Sequence, residues 1–208
     1  MRESEPDGQP IKKESPEEPS SFEVKNKQVI LVVGYLQVKI PVSAGATANA
    51  SSVLDCLIQS APEDPLTGVT KVKLASDDPN TMKILCHFIH GRTSSVPTEM
   101  SNADLLKLAI LTDKYKCTDL THLASSFWLR ERCQSLPATW PEIVTLLHTA
   151  WLFNEPASFR TITKKIVLDT EWNLTNILQA NSGCLSVEIY HKCMVEPFNA
   201  RANMVSGS

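Results

Sequence analysis

The first 21 residues contain almost nothing that can build a core. Met1 and Ile11 are their large apolar residues, set among prolines, serines and acids. Such a stretch cannot bury enough surface to offset its chain entropy, so residues 1–21 read as a disordered acidic tail. From about Phe22 the pattern changes. Val29-Ile30-Leu31-Val32-Val33 is a β-branched run closed by Gly34, and Leu36, Val38 and Ile40 alternate with polar residues as far as Pro41. Two short strands joined tightly at Gly34-Tyr35 are expected. Ser43 to Ser52 is a run of small residues with little to pack. Val53, Leu54, Leu57 and Ile58 predict a short helical face, Pro62, Pro65 and Gly68 a loop, and Val69, Val72 and Leu74 a third strand.

The rest reads as helices. Asp78-Pro79 predicts a helix start, with Asp as the cap and Pro in the first turn. Met82, Leu85, Cys86 and Ile89 fall on one helical face, which His90-Gly91 ends. Ser101 with Asp104 resembles a capping box, and Thr139 with Glu142 forms a second. The stripes behind them are Leu105, Leu108, Ala109, Thr112 and Ile143, Leu146, Leu147, Ala150. Between the two, Leu120, Leu123, Ala124 and Phe127 predict an inward stripe, with Trp128 to Arg132 at that helix's exposed end. Phe159, Ile162 and Ile166 predict one further helix, and Leu185, Ile189 and Cys193 a last one. Strands first and helices after give an α+β fold, a small sheet covered by a helical cluster with additional C-terminal helices. The expected organisation is a tail at 1–21, a domain at 22–132, a helical region at 133–199 and a flexible tail at 200–208.

Charge and composition narrow the classes of function. The chain has 208 residues and a formal net charge of -3. Residues 1–21 carry all of that excess, which leaves the remainder neutral. A neutral body has no basic stripe to displace counterions from phosphates, so direct nucleic-acid binding is not expected. Nor is a membrane span, because no apolar run approaches about 20 residues. The N-terminus lacks the apolar core of a signal peptide, and the 6 scattered cysteines form no CxxC pair. A cytoplasmic or nuclear setting with reduced, largely buried thiols is the expectation.

Candidate chemistry is sparse. Neither a phosphate-binding glycine loop nor a GxSxG or HExxH motif occurs, and no cofactor is implied. Cys86 and His90, four apart, could share a helix face as two metal ligands, but two ligands do not complete a structural site. Asp77-Asp78 is a carboxylate pair of the kind that performs acid–base work when burial separates the pKa values. Its position before Pro79 favours the plainer reading, because capping explains the spacing without catalysis. His122 and His148 lie beside apolar stripes, where partly buried, hydrogen-bonded histidines are the default. In the tail, Ile11-Lys12-Lys13-Glu14 fits the apolar-Lys-x-acidic pattern for attachment of ubiquitin-like modifiers at Lys12. Ser15-Pro16 fits a proline-directed phosphorylation site at Ser15.

Two blocks resemble a known family. Val72-Lys73-Leu74-Ala75-Ser76-Asp77-Asp78-Pro79, followed by Ile89-His90-Gly91-Arg92 and Val96-Pro97, is similar to the "V-x-L-x-x-D-D-P", "I-H-x-R" and "V-P" of fungal BTB/POZ domains. Leu105 to Cys117 resembles that family's "L-x-x-L-A-x-L-A-D-K-Y-x-C". The resemblance spans roughly residues 28–130. Around Ile40-Pro41-Val42-Ser43 the chain departs from it, lacking the family's His and aromatic residue. The resemblance implies a protein–protein interaction module rather than an enzyme. Its partners would be a cullin-type ubiquitin-ligase scaffold or a copy of itself. A cullin surface would fall near the end of the helix at 79–90 and the turn after that at 101–114, with Arg92, Thr93 and Lys116 as rim residues. Residues 1–21 are too polar to supply an exchanged helix, so a strand-swapped dimer is not expected. A corepressor-recruiting module and an enzyme with an unrecognised site are the alternatives.

Overall fold

The computed structural model describes residues 28–137 and 139–168. The acidic tail with Lys12 and Ser15, the stretch from Phe22, the helix expected around Leu185, Ile189 and Cys193, and the C-terminal tail lie outside them. The chain is α+β. Strands β1 (Gln28–Val33), β2 (Val38–Ser43) and β3 (Thr70–Leu74) form one sheet in the order β2-β1-β3. β1 pairs antiparallel with β2 and parallel with β3. A parallel neighbour needs a crossover, and α1 (Ala44–Ala50) and α2 (Ser52–Ser60) supply it.

Alternation decides which face of the sheet packs. Val29, Leu31 and Val33 in the central strand are fully buried, flanked by Ile40 and Val42 on β2 and by Val72 and Leu74 on β3. The intervening Lys39, Lys71 and Lys73 are exposed. Each buried aliphatic contributes about 1.5–3 kcal/mol relative to exposure. The hairpin is wider than its sequence pattern predicts. β2 starts at Val38, Gly34 to Gln37 form the turn, and Tyr35 and Leu36 stand in solvent. Gly34 has φ +71°, and a Cβ there would lie 2.9 Å from the Pro79 ring and 3.1 Å from the Asp77 carbonyl. The turn and the close approach of Asp77 and Pro79 both require glycine.

The small-residue stretch after β2 is not empty. Ser43 caps α1 through its hydroxyl, and Ser51 both ends α1 and caps α2. Ser51 also donates to the Tyr115 carbonyl at 2.5 Å, anchoring this corner to the following layer. That layer begins with α3 (Pro79–Ile89) and α4 (Asn102–Lys114), which pack together. α5 (His122–Gln134), α6 (Trp140–Leu152) and α7 (Pro156–Leu168) complete it, with α6 packed against both α4 and α7. The stripes predicted for α3, α4 and α6 are all buried. So are Ile162 and Ile166 of α7, with Phe159 half-buried.

The α5 expectation is reversed. Leu120, in the 3-10 turn Thr118–Thr121 ahead of α5, and Leu123 and Phe127 on it are 39 %, 87 % and 54 % exposed. Of the expected stripe Ala124 alone is half-buried against the core. Trp128 and Leu129, expected at an exposed end with Arg130 and Glu131, are buried, while those two charged residues are exposed. The face with the indole wins because its polar atoms also find partners. The indole N–H donates to the Thr98 carbonyl at 2.9 Å, Arg132 to the Met100 carbonyl, and Ser125 to Glu155. Outward rotation would leave the indole N–H and Arg132 without these partners, while Ser125 would keep only the His122 carbonyl.

Candidate functional site

The carboxylate pair ahead of α3 divides its labour. Asp78 caps the helix, accepting from the Thr81 backbone N–H and hydroxyl, both at 2.8 Å. These bonds, the backbone one foremost, hold its carboxyl below the usual range. Asp77 is buried and turns the other way. It takes the Lys114 ammonium at 2.5 Å and the Tyr115 hydroxyl at 2.5 Å, both from the end of α4. The Tyr115 hydroxyl is pushed well above its ordinary value, first by burial and then by Asp77 beside it. The Lys114 ammonium also lies 5.1 Å from the Tyr115 ring centroid. The pair is therefore a cap and a lock between α3 and α4, and neither carboxylate faces a pocket with the other.

Both ring nitrogens of His90 are engaged. Nδ1 lies 2.8 Å from the Cys86 carbonyl, and Nε2 accepts from the Ser43 N–H at 3.0 Å. A carbonyl can only accept, so the proton is on Nδ1, and the remaining lone pair is already used. Burial pushes the Cys86 thiol up to about 12. A protonated thiol and an occupied imidazole make a structural tie from α3 to the end of β2, not two metal ligands. Among the described residues, no group of three or more His, Cys, Asp and Glu is placed to hold a metal ion. Nor, among them, is any helix long and apolar enough to cross a membrane.

An open cleft of about 270 Å³ lies between α3 and the start of α4. Thr81, Ile84, Pro97 and Met100 line it, with Asp78, Asp104 and Lys107 at its edge. Two of these charged groups serve helix starts. Asp104 takes the Ser101 hydroxyl and Lys107, and Asp78 caps α3.

A second buried carboxylate was not anticipated. Glu155 sits just before Pro156, which opens α7, and accepts from the Ser125 and Ser126 hydroxyls. The His122 imidazole lies 3.1 Å away. His122 is itself mostly exposed rather than partly buried, while His148 is half-buried. An acid before a helix-opening proline is the local signal, but its partners come from 29 to 33 positions upstream and show no pattern.

The expected rim residues are surface groups. Arg92 and Thr93 follow the C-terminal end of α3 and are exposed. Lys116 follows α4 with φ +52° and pairs with Asp113 at 3.0 Å. No hydrogen bond or ion pair joins them to each other among the described residues. Of the thiols, Cys86 and Cys117 are buried, Cys133 is half-buried, and Cys56 is exposed, against the expectation of buried cysteines. A scan against protein-family models finds no match to this chain, and a search of curated proteins finds none either.

Proposed function

We propose that the chain is a non-enzymatic, BTB/POZ-type protein-interaction module of the fungal kind, working in the cytoplasm or nucleus as an adaptor for a cullin-type ubiquitin-ligase scaffold. One observation carries the reading. The two sequence blocks that bear the resemblance, DDP and DKYxC, form one physical unit: Asp77 of the first holds Lys114 and Tyr115 of the second. The last residue of the second block is also engaged, because Cys117 is buried and its N–H returns to the Thr112 carbonyl at 2.9 Å. Supporting this, a small sheet covered by helices is the architecture the resemblance implies.

The reading places the docking rim at Arg92, Thr93 and Lys116. Its test is affinity purification with the full chain, followed by titration with the recovered scaffold. A cullin-type protein should be recovered. Arg92→Glu combined with Lys116→Glu should weaken its binding by about tenfold, the equivalent of 1.4 kcal/mol. Recovery of no scaffold by the folded wild-type chain would overturn the adaptor role. Recovery that the double variant leaves unchanged would overturn the placement of the rim.

A further inference from the structure

We infer that the outward face of the sheet is a docking surface for the chain's own acidic N-terminal segment, with residues 14–18 laid between Lys39 and Lys73. The strand register builds that face. Ile30 stands between Pro41 and Lys71, and Val32 between Lys39 and Lys73. Directly opposed residues share a face, and this one lies opposite the buried Val29, Leu31 and Val33. Ile30 and Val32 are half-buried, whereas Pro41 and the three lysines are exposed. The result is an apolar strip edged with positive charge. Lys71 pairs with Asp64 at 3.5 Å. Among the described residues, the side chains of Lys39 and Lys73 take part in no hydrogen bond or ion pair. They stand two strand spacings apart, about 10 Å. Two unpaired like charges flanking an apolar strip are complementary to an acidic segment lying along it.

Charge and connectivity select the occupant. The whole net charge of -3 lies in residues 1–21, on a neutral remainder. Within them, Glu14-Ser15-Pro16-Glu17-Glu18 carries three acids and no base. The acidic segment also joins the fold at the strand it would cover, because β1 begins at Gln28. Ten positions separate Glu18 from Gln28, about 33 Å when fully extended, whereas Val32 lies about 13 Å along β1 from Gln28. The segment therefore reaches back over Val32 with chain to spare. Tethering gives it an effective concentration on the order of millimolar, so a few exposed ion pairs suffice for occupancy. An acidic segment of a separate protein would have to supply far more binding energy from the same weak pairs. Docking also gives Ser15-Pro16 a use. A phosphate on Ser15 adds about -1.5 to -2 charges between the two lysines and tightens the cover.

The inference does not rest on the BTB/POZ reading, and its test avoids the proposed rim. Carbodiimide joins carboxylates to amines only where they touch, so it is applied to the full chain in dilute solution and the monomeric product is mapped by mass spectrometry. Glu14, Glu17 and Glu18 should couple to Lys39 and Lys73 at least about fivefold more than to Lys83, an exposed lysine on α3. High salt should reduce that preference. Phosphorylation of Ser15 by a proline-directed kinase should raise it about threefold, and Ser15→Ala should abolish the rise. In NMR spectra of the full chain, Glu14→Gln, Glu17→Gln and Glu18→Gln together should shift the amide signals of Val32, Lys39 and Lys73. Coupling spread evenly over the exposed lysines, or amide signals that stay in place, would overturn the inference. Coupling in an equal mixture of 14N and 15N chains checks the occupant. Products carrying one label only support a segment folded back on its own chain, and mixed products would overturn that assignment.

Discussion

Helices α5 and α6 are each 13 residues long and use their apolar residues in opposite ways. In α6, Ile143, Leu146, Leu147 and Ala150 form one stripe and all are fully buried. In α5 two apolar edges compete, Leu123 with Phe127 against Trp128 with Leu129, and only the second is buried. The difference teaches that periodicity fixes which residues share a face but not which face turns inward. That choice goes to the side whose polar atoms can also be satisfied. On α5 the polar anchors are the indole N–H, Arg132 and Ser125, all on the Trp128 side.

The sharpest way to break the comparison is to remove each inner face in turn. Trp128→Ala should cost about 3–5 kcal/mol and Leu147→Ala about 2–5 kcal/mol, since both delete buried volume that the surroundings cannot refill. Urea unfolding would measure both. A cost below about 1 kcal/mol for Trp128→Ala would mean that α5 is not seated on its indole face.

Most of the frame was legible because it is local. The cap at Asp78, the capping pair at Ser101 and Asp104, and the stripes of α3, α4 and α6 each lie within a few residues of one another. Elements without such local contrast were missed. α1 is AGATANA, which has no stripe to count, and it is held by Ser43 and Ser51 at its ends. The α5 reversal was hidden because the partners of Trp128 and Arg132 lie 30 and 32 positions away. The candidate site behaved in the same way. That Asp78 would cap was readable, whereas the Asp77 lock needed a Lys and a Tyr 37 and 38 residues downstream.

Glu155 tests whether polar anchoring decides the orientation of α5. Glu155→Ala should cost about 1–3 kcal/mol, because it strips the Ser126 hydroxyl of its acceptor and removes the longer of the two contacts of Ser125, which keeps the His122 carbonyl. Glu155→Gln, which keeps one carbonyl oxygen there, should cost less. Hydrogen exchange should show the increase in opening at α5 and α7 before α3 and α4. Equal costs for the two variants would argue that packing alone holds α5 in place.

Thiols give a milder test, because Cys133 lies at the half-buried edge of α5 while Cys86 and Cys117 are in the core. Burial pushes Cys86 and Cys117 up to about 12 from 9.0. It raises Cys133 too, with the Ser158 hydrogen bond opposing the shift. In the unfolded chain the two core thiols ionise near pH 9, while in the folded chain they stay protonated. The native state then binds more protons, so stability falls as pH rises, by about 1 kcal/mol per thiol by pH 10. Below about pH 8 these groups leave stability unchanged. Peptide-mapped alkylation at pH 8 should label Cys56 first, Cys133 next, and Cys86 and Cys117 last. Early labelling of Cys117 would show that the corner after α4 opens readily.

The smallest expected effect is the most pointed. Leu123→Ala and Phe127→Ala remove large apolar side chains from the same helix as Trp128, yet each should change monomer stability by no more than about 0.5 kcal/mol. Measured in dilute solution, this isolates the outer face from the inner one. A loss of about 2 kcal/mol or more for either variant would mean that the ridge packs within its own chain, as its spacing first suggested. A loss within the expected limit leaves those side chains contributing little to the monomer. Their apolar surface is then left for contacts outside the monomer fold.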